Sequence, residues 1–315
     1  MKPLAIVVPT LDEESHIARC LSSVHGLGDL VVVDSGSTDG TVHLAESLGA
    51  RVVHQDWLGY AAQKNFALEL LEHEYEWVLL LDADEVVSAD VARGVAAVAA
   101  AGPGQGPAAY RIARRNYFLG RELRHCWWYP DYQIRLVQPR TARFEERSVH
   151  EHLVIAGEVA TLPGDLHHEN LNGLSAFLSR HNRYSTLEAL EIVRSGDAEA
   201  ARSAARDLLD TRTRARRWVK ERLWYRLPAR PLIRFLWLYV VRRGFLDGRA
   251  GFIYCCLIAF YDAETNFKVY EHDRQGRSAL PDRAPGGLQA ASRGRRGRHP
   301  SADPPEDRAG LGRVR

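Results

Sequence analysis

The sequence predicts an α/β fold of the doubly wound type, a mostly parallel sheet wrapped by helices, with a helical, basic-aromatic extension at its C-terminal side. Three observations carry this. Apolar, β-branched runs alternate with stretches of helical spacing over the first 85 residues, acidic clusters follow directly on three of those runs, and charge is spread very unevenly along the 315 residues.

Leu4-Ala5-Ile6-Val7-Val8 is a continuous apolar run, as expected of a strand covered on both faces. Residues 14–24 then have helical spacing, 30–33 read as strand, 41–48 as helix, 51–54 as a short strand, 61–72 as helix and 77–81 as strand. From 103 to 107 Gly and Pro mark a loop, and 109–113 is strand-like. A stretch rich in aromatics, His and Arg follows to about 170. Residues 174–194 read as a helix with Leu174, Phe177, Leu178, His181, Tyr184, Leu187 and Leu190 on one stripe. The predicted organisation is a body over 1–200, in halves of about 1–100 and 101–200, a helical region over 201–274, and a Gly/Pro/Arg/Ala-rich tail over 275–315 that is expected to be disordered.

With 45% hydrophobic and 26% charged residues, disorder throughout is excluded. The net charge of +2 is a cancellation. Residues 1–200 hold 17 Lys+Arg against 28 Asp+Glu, and residues 201–243 hold 13 against 3. Such asymmetry points to an anionic partner for the basic part, either a membrane surface or nucleic acid. Cys20, Cys126, Cys255 and Cys256 form no CxxC pair, which argues against a zinc site or disulfide framework. The apolar run after Met1 is too short for a signal-peptide core, and no apolar stretch reaches the roughly 20 residues of a spanning helix, so a cytoplasmic location without a transmembrane segment is expected.

In doubly wound sheets, ligands bind outside the carboxyl ends of the strands. The three acidic clusters fall there: Pro9-Thr10-Leu11-Asp12-Glu13-Glu14, then Asp34-Ser35-Gly36-Ser37-Thr38-Asp39-Gly40, then Asp82-Ala83-Asp84-Glu85. Two carboxylates two residues apart at a strand end can hold a hard divalent cation and face a diphosphate across it. The Asp34 cluster reads both as a turn capping the next helix and as a nucleotide-facing strand end. Neither G-x-G-x-x-G nor G-x-x-x-x-G-K-[ST] occurs, which excludes the usual dinucleotide and P-loop fingerprints.

Those clusters, together with Gly59-Tyr60-Ala61-Ala62-Gln63-Lys64-Asn65, resemble in order and register the signature of family 2 glycosyltransferases with the GT-A fold. Trp127-Trp128-Tyr129-Pro130-Asp131-Tyr132-Gln133-Ile134-Arg135-Leu136 and Ser148-Val149-His150-Glu151 resemble the branch of bacterial lipopolysaccharide core β-glucosyltransferases. The resemblance implies an inverting, metal-dependent transfer of a hexose, glucose from UDP-glucose, onto a lipid-linked saccharide such as lipopolysaccharide inner core. Polyprenyl phosphate, protein or peptide acceptors are the alternative, and a non-catalytic RNA- or membrane-binding module a remote one. It implies that Pro9, Thr10 and Glu13 line the donor nucleotide, Asp34 faces the uracil or ribose, Lys64 the base or diphosphate, and that Asn65 supports the Lys64 loop. Asp84 would bind Mg²⁺ or Mn²⁺, Asp82 the ribose or the metal, and His150 would complete the metal shell or contact a phosphate. Inversion requires a base at the acceptor hydroxyl. Asp131 is assigned to it, in Pro130-Asp131 where many relatives have Glu-Asp, with Glu151 as the alternative. His125, His167 and His168 are expected to be surface or packing residues.

In the basic segment, nine cations from Arg212 to Arg234 are interleaved with Trp218, Trp224, Tyr225, Phe235 and Trp237. This is the composition of an element lying in a membrane interface, and the apolar residues 252–260 that follow favour lipid over nucleic acid. An anionic membrane surface bound through 201–261, on the inner face of the cytoplasmic membrane, is therefore expected, with no nucleic-acid partner.

Overall fold

Alternation within the first strand dictates two covered faces. In the computed structural model, which describes residues 1–104, 106–127, 129–145, 153–202 and 229–275, strand β1 (Lys2–Thr10) lies inside the sheet. Leu4, Ile6 and Val8 point to one face, where helices α1 (Glu14–Ser23), α2 (Thr41–Ser47) and α4 (Ala89–Ala101) bury Ile17, Leu21, Ala45, Val91 and Val95 against them. Ala5 and Val7 point to the other, covered by α3 (Tyr60–Leu71) through Ala67, Leu68 and Leu71. Full burial of each such side chain contributes about 1.5–3 kcal/mol.

Strands β2 (Asp29–Asp34), β3 (Arg51–His54) and β4 (Tyr75–Leu80) run parallel to β1 in the order β3-β2-β1-β4. The sheet continues through β8 (Asp131–Val137), β6 (Ala109–Phe118), β11 (Val159–Glu169) and β5 (Glu85–Val87), with β7 (Arg121–Glu122) paired on β6. β8 is antiparallel to both β4 and β6, while β6 and β11 are parallel to each other. The carboxyl ends of β1, β2, β4, β6 and β11 and the amino ends of β8 and β5 therefore meet at one edge. A separate hairpin pairs β9 (Ala142–Phe144) with β10 (Leu153–Ile155).

The body's C-terminal side is helical. α5 (Gly173–Arg202), α6 (Arg230–Leu236), a π-helical turn (Trp237–Val241), a short 3₁₀ turn (Gly244–Asp247) and α7 (Gly248–Gln275) belong to the same compact unit as the sheet, residues Met1–Gly276. Gly244–Arg274 is, by length and composition, apolar enough to cross a membrane, where the sequence reading expected no such stretch. Yet this segment buries Asp262 against Arg230 (2.7 Å) and Arg234 (2.9 Å), and its Tyr254 and Cys255 pack on Leu123 and Cys126. The α5 stripe also differs from expectation. Leu174 and Leu178 are exposed, and the buried positions are the small Ser185 and Ala189, with Thr265 of α7 buried alongside. Small residues allow two helices to approach closely without a large apolar seam.

Most of the basic segment, residues 203–228, and the tail from 276 lie outside the described residues, as do Trp128, His150 and Glu151.

Candidate active site

The first wall of the site is the Asp34 turn. Asp34 is buried at the end of β2; its Oδ1 accepts from Thr10 Oγ1 (2.9 Å) and Ser37 Oγ (2.5 Å), and its Oδ2 from the Gly36 and Ser37 amides (2.9 and 2.8 Å). Burial alone would raise its pKa, but the hydrogen bonds from Ser37, Thr10 and Gly36 outweigh burial and hold the carboxyl below its ordinary value. Gly36 sits at φ +92°, a conformation only glycine takes without strain. All four acceptor positions of Asp34 are filled, so its first task is to shape the turn, with Thr10 and Ser37 hydroxyls on either side.

Glu13 is likewise engaged. Its Oε2 lies 2.7 Å from Nδ1 of the buried His16, and His16 Nε2 accepts the Leu171 amide at 2.8 Å. The Leu171 donor fixes the tautomer: the proton sits on Nδ1 and is donated to Glu13. This relay ties the loop after β1 to the segment after β11. Pro9, half-buried, is paired in register with Val33. Asn65 does not support its own loop; its amide exchanges hydrogen bonds with the Phe144 backbone and pins β9 to α3.

The second wall is a chain of alternating charges. Arg135 of β8 is buried and donates through Nη2 to Asp82 Oδ2 (2.5 Å) and to Glu85 Oε1 (2.6 Å). Arg114 of β6 lies 3.5 Å from the same Glu85 oxygen and donates from Nε and Nη2 to Asp131 Oδ2 (3.0 and 2.8 Å). Lys64 Nζ stands 3.6 Å from Asp82 Oδ1 and 5.3 Å from the Phe144 ring centroid. Burial would push Asp82 up, but Arg135, Lys64 and Arg114 draw it far below the carboxylate range. Arg135 Nε is buried without a hydrogen bond, the kind of donor that a ligand oxygen satisfies. Carboxylates and guanidinia buried in this way add little net stability, so their presence at a ligand edge is better explained by function.

Asp84 closes the cluster. Its Oδ2 lies 3.3 Å from His168 Nε2 and accepts from Asn170 Nδ2 at 3.3 Å. Burial raises its pKa, and the contact with His168 outweighs burial and lowers it to about 2. His168 Nδ1 lies 2.9 Å from Oδ1 of the buried Asn116, whose Nδ2 is 3.5 Å from Asp131 Oδ2. His168 had been expected to be a packing residue; it sits at the centre of the site because β11 pairs it in register with both Glu85 and Asn116.

Because Nδ1–H is donated to Asn116, the group between His168 Nε2 and Asp84 Oδ2 is either the second ring proton or a cation that takes its place. The oxygen and nitrogen donors suit Mg²⁺ or Mn²⁺. Among the described residues no group of three or more His, Cys, Asp or Glu is placed to hold a metal ion. The pair fits a cation that takes its remaining ligands from substrate phosphates and water.

Asp131 opens β8, directly after the cis Tyr129–Pro130 peptide. Its Oδ1 accepts only from Gln133 (2.8 Å) among the described hydrogen bonds, which leaves that oxygen a further acceptor position. Glu85, Arg114, Asn116, His168 and Asn170 were not anticipated. Glu85 closes the acidic cluster after β4, whereas the other four carry no local signal, since the pairing that brings them together shifts register along β11.

A family model described as Glycosyl transferase family 2 matches residues 5–150, the span that contains every one of these strand ends except that of β11. The lipopolysaccharide core biosynthesis glycosyltransferase LpsC of Rhizobium meliloti (strain 1021) is 30% identical over 296 residues, covering 89% of this chain and 97% of that protein. The chain belongs to glycosyltransferase family 2. An uncharacterised glycosyltransferase of Rickettsia typhi is 28% identical over 270 residues, 82% of this chain and 84% of its own. Among solved structures, this glycosyltransferase is similar to the mannosyltransferase PcManGT of Pyrobaculum calidifontis in complex with GDP-Man and Mn²⁺, at TM-score 0.48 and 16% identity, covering 85% of this chain and 87% of that one. It is also similar to glucosyl-3-phosphoglycerate synthase of Mycobacterium tuberculosis, at TM-score 0.30 and 26% identity over 36% of this chain and 43% of that one. As a family 2 glycosyltransferase it has the α/β fold of the GT-A type, and Asp34, Asp82, Asp84 and Asp131 converge at the carboxyl edge of its sheet.

Proposed function

We propose that this glycosyltransferase moves a hexose, glucose from UDP-glucose, with inversion onto a lipid-linked saccharide such as the inner core of lipopolysaccharide, at an anionic membrane surface. The observation that carries the reading is the unbroken charge chain from Asp82 through Arg135, Glu85 and Arg114 to Asp131, with Asp84 and His168 beside it. Asp82, Asp84, Glu85 and Asp131 set four carboxylates against the three cations Lys64, Arg114 and Arg135. Such a cluster accepts a divalent ion and a diphosphate together better than either alone. The 30% identity with LpsC supports a lipopolysaccharide core acceptor.

In this reading the donor base and ribose lie between the Thr10 and Ser37 hydroxyls, which rotate to share their bonds between Asp34 and the ligand. Pro9 and Glu13 shape that wall, and Asp82 meets the ribose. Lys64 and the free donor of Arg135 face diphosphate oxygens. Asp84 and His168 would hold Mg²⁺ or Mn²⁺, which supplies neutralisation of the leaving diphosphate's charge. Asp131 Oδ1 receives the proton of the acceptor hydroxyl as its oxygen attacks the anomeric carbon, the bond from that carbon to the diphosphate oxygen breaks, UDP leaves, and the configuration inverts. Arg114 and Gln133 hold the carboxylate in one orientation for that attack.

The test is transfer from UDP-glucose to core-truncated lipopolysaccharide by the purified protein, in parallel with UDP-galactose and UDP-N-acetylglucosamine, and with polyprenyl phosphate and peptide acceptors. Glucose transfer to the lipopolysaccharide alone is expected. Efficient transfer to any of the other acceptors with none to the core would replace the acceptor assignment.

A further inference from the structure

From Leu232 to Leu246 the chain exposes large apolar side chains at a spacing that makes one face. Leu232, Leu236 and Val240 form one row at intervals of four, and Ile233, Trp237 and Val241 a second row beside it, each 39–60% exposed. The π-helical turn Trp237–Val241, closed by the Arg242 amide on Trp237 O, is wider than an α turn, so rows spaced by four stay on one face across it. Phe245 and Leu246, half-exposed, extend the ridge past that turn. A contiguous apolar patch of this kind is uncommon on a surface that meets only water.

Its charge surroundings say what covers it. Of the five arginines in residues 229–261, Arg230 and Arg234 face the buried Asp262 and Arg242 donates to Trp127 O, while the one acid of the stretch, Asp247, is buried and consumed by hydrogen bonds from the Arg124, His125 and Cys126 amides. Arg243 and Arg249 are exposed and make no ion pair among the described residues. The ridge is thus apolar with exposed cations at Arg243 and Arg249, and residues 229–261 offer no accessible carboxylate. A symmetric contact with a second copy would set this patch, whose exposed charges are both cationic, against another of the same sign.

We propose that this ridge is the surface that enters the headgroup layer of an anionic bilayer, with Trp237 at its centre and Arg243 and Arg249 on lipid phosphates. The inference deepens the reading of a lipid-linked acceptor and rests on it, though its test uses no acceptor. The ridge also sets the orientation of the site. Asp247, Arg242 on Trp127 O (3.4 Å) and the Trp127–Tyr254 ring contact (5.0 Å) fasten the segment to residues 124–127, just ahead of Asp131, so that docking the ridge brings the base-bearing loop to the membrane.

The experiment is sedimentation of the full chain with sucrose-loaded vesicles of phosphatidylcholine alone or with 30 mol%, about one lipid in three, phosphatidylglycerol. The wild type is compared with the double variant Leu236→Glu/Val240→Glu, whose far-UV circular dichroism and melting temperature establish that it folds. Wild-type binding to the anionic vesicles, falling at least tenfold in the double variant, is expected. No wild-type binding, or equal binding by both proteins, would overturn the proposal, the latter assigning lipid affinity to the basic segment instead. A wild-type dimer by light scattering that the variant converts to a monomer, with neither binding vesicles, would also overturn it and give the face to a second copy.

Discussion

Individual side chains at the carboxyl edge carry separable jobs, and each separation is measurable. If Asp131 takes the acceptor proton, Asp131→Asn lowers kcat by roughly 10²–10⁴-fold, the usual contribution of a positioned base. UDP affinity by calorimetry stays within experimental error, since Asp131 reaches the donor side only indirectly, through Arg114 and Glu85 and through Asn116. Asn116 holds the ring of His168 from behind, so Asn116→Ala is expected to raise the Mn²⁺ concentration for half-maximal activity by about 10–100-fold, while saturating metal restores most of the rate. Unaltered metal dependence in that variant would remove His168 from the cation site. Asp34 gives a pH prediction. Its native pKa lies below the ordinary 3.8, so its contribution to stability is complete above that value and is lost as pH falls through the lower native one. Urea midpoints between pH 5 and 2.5 should therefore drop less steeply for Asp34→Asn, which has no carboxyl to protonate, than for the wild type.

At the scale of elements, what the sequence could show depended on whether a strand or helix declares itself locally. β1, β2 and β4 did, because burial on both faces demands uninterrupted apolar runs such as Leu30-Val31-Val32-Val33. The helix α4 did not. Its core contacts are Val91, Val95 and Ala99 in an alanine-rich stretch, and only Ser88, whose Oγ caps the Val91 amide at 3.5 Å, marks its start. β11 was equally silent, since Gly164 at φ +97° and a register shift between Thr161 and Asp165 interrupt its alternation, and this is why His168 was missed. Asp82 and Asp84 were legible because they follow an obvious strand; Arg114, Asn116 and His168 reach them only through pairing between distant strands. The C-terminal helices illustrate the same limit. The buried Asp262–Arg230 pair joins α6 to α7, and no local pattern announces it. Asp262→Ala removes the buried carboxylate that Arg230 and Arg234 both face and is expected to cost about 3–5 kcal/mol by urea denaturation. A change below about 1 kcal/mol would mean that water reaches the guanidinium as it does at surface pairs.

For the molecule as a whole, the near-neutral sum of +2 conceals two surfaces of opposite character. The acidic body gathers carboxylates at one sheet edge, where Arg114, Arg135 and Lys64 stand against them. The basic C-terminal side carries an apolar ridge fastened through Asp247 to the loop that leads to Asp131. The lipid-facing surface and the chemical edge are thus joined by a few hydrogen bonds, which gives a physical reason for one chain to hold both. The central claim, inverting transfer with Asp131 as base, is tested most directly by nuclear magnetic resonance of the product formed from UDP-glucose by wild type, Asp131→Asn and Glu151→Gln. The account predicts a β-glucoside from the wild type and from Glu151→Gln, and none from Asp131→Asn although that variant still binds UDP; an α-linked product, or turnover lost in Glu151→Gln and kept in Asp131→Asn, would contradict it.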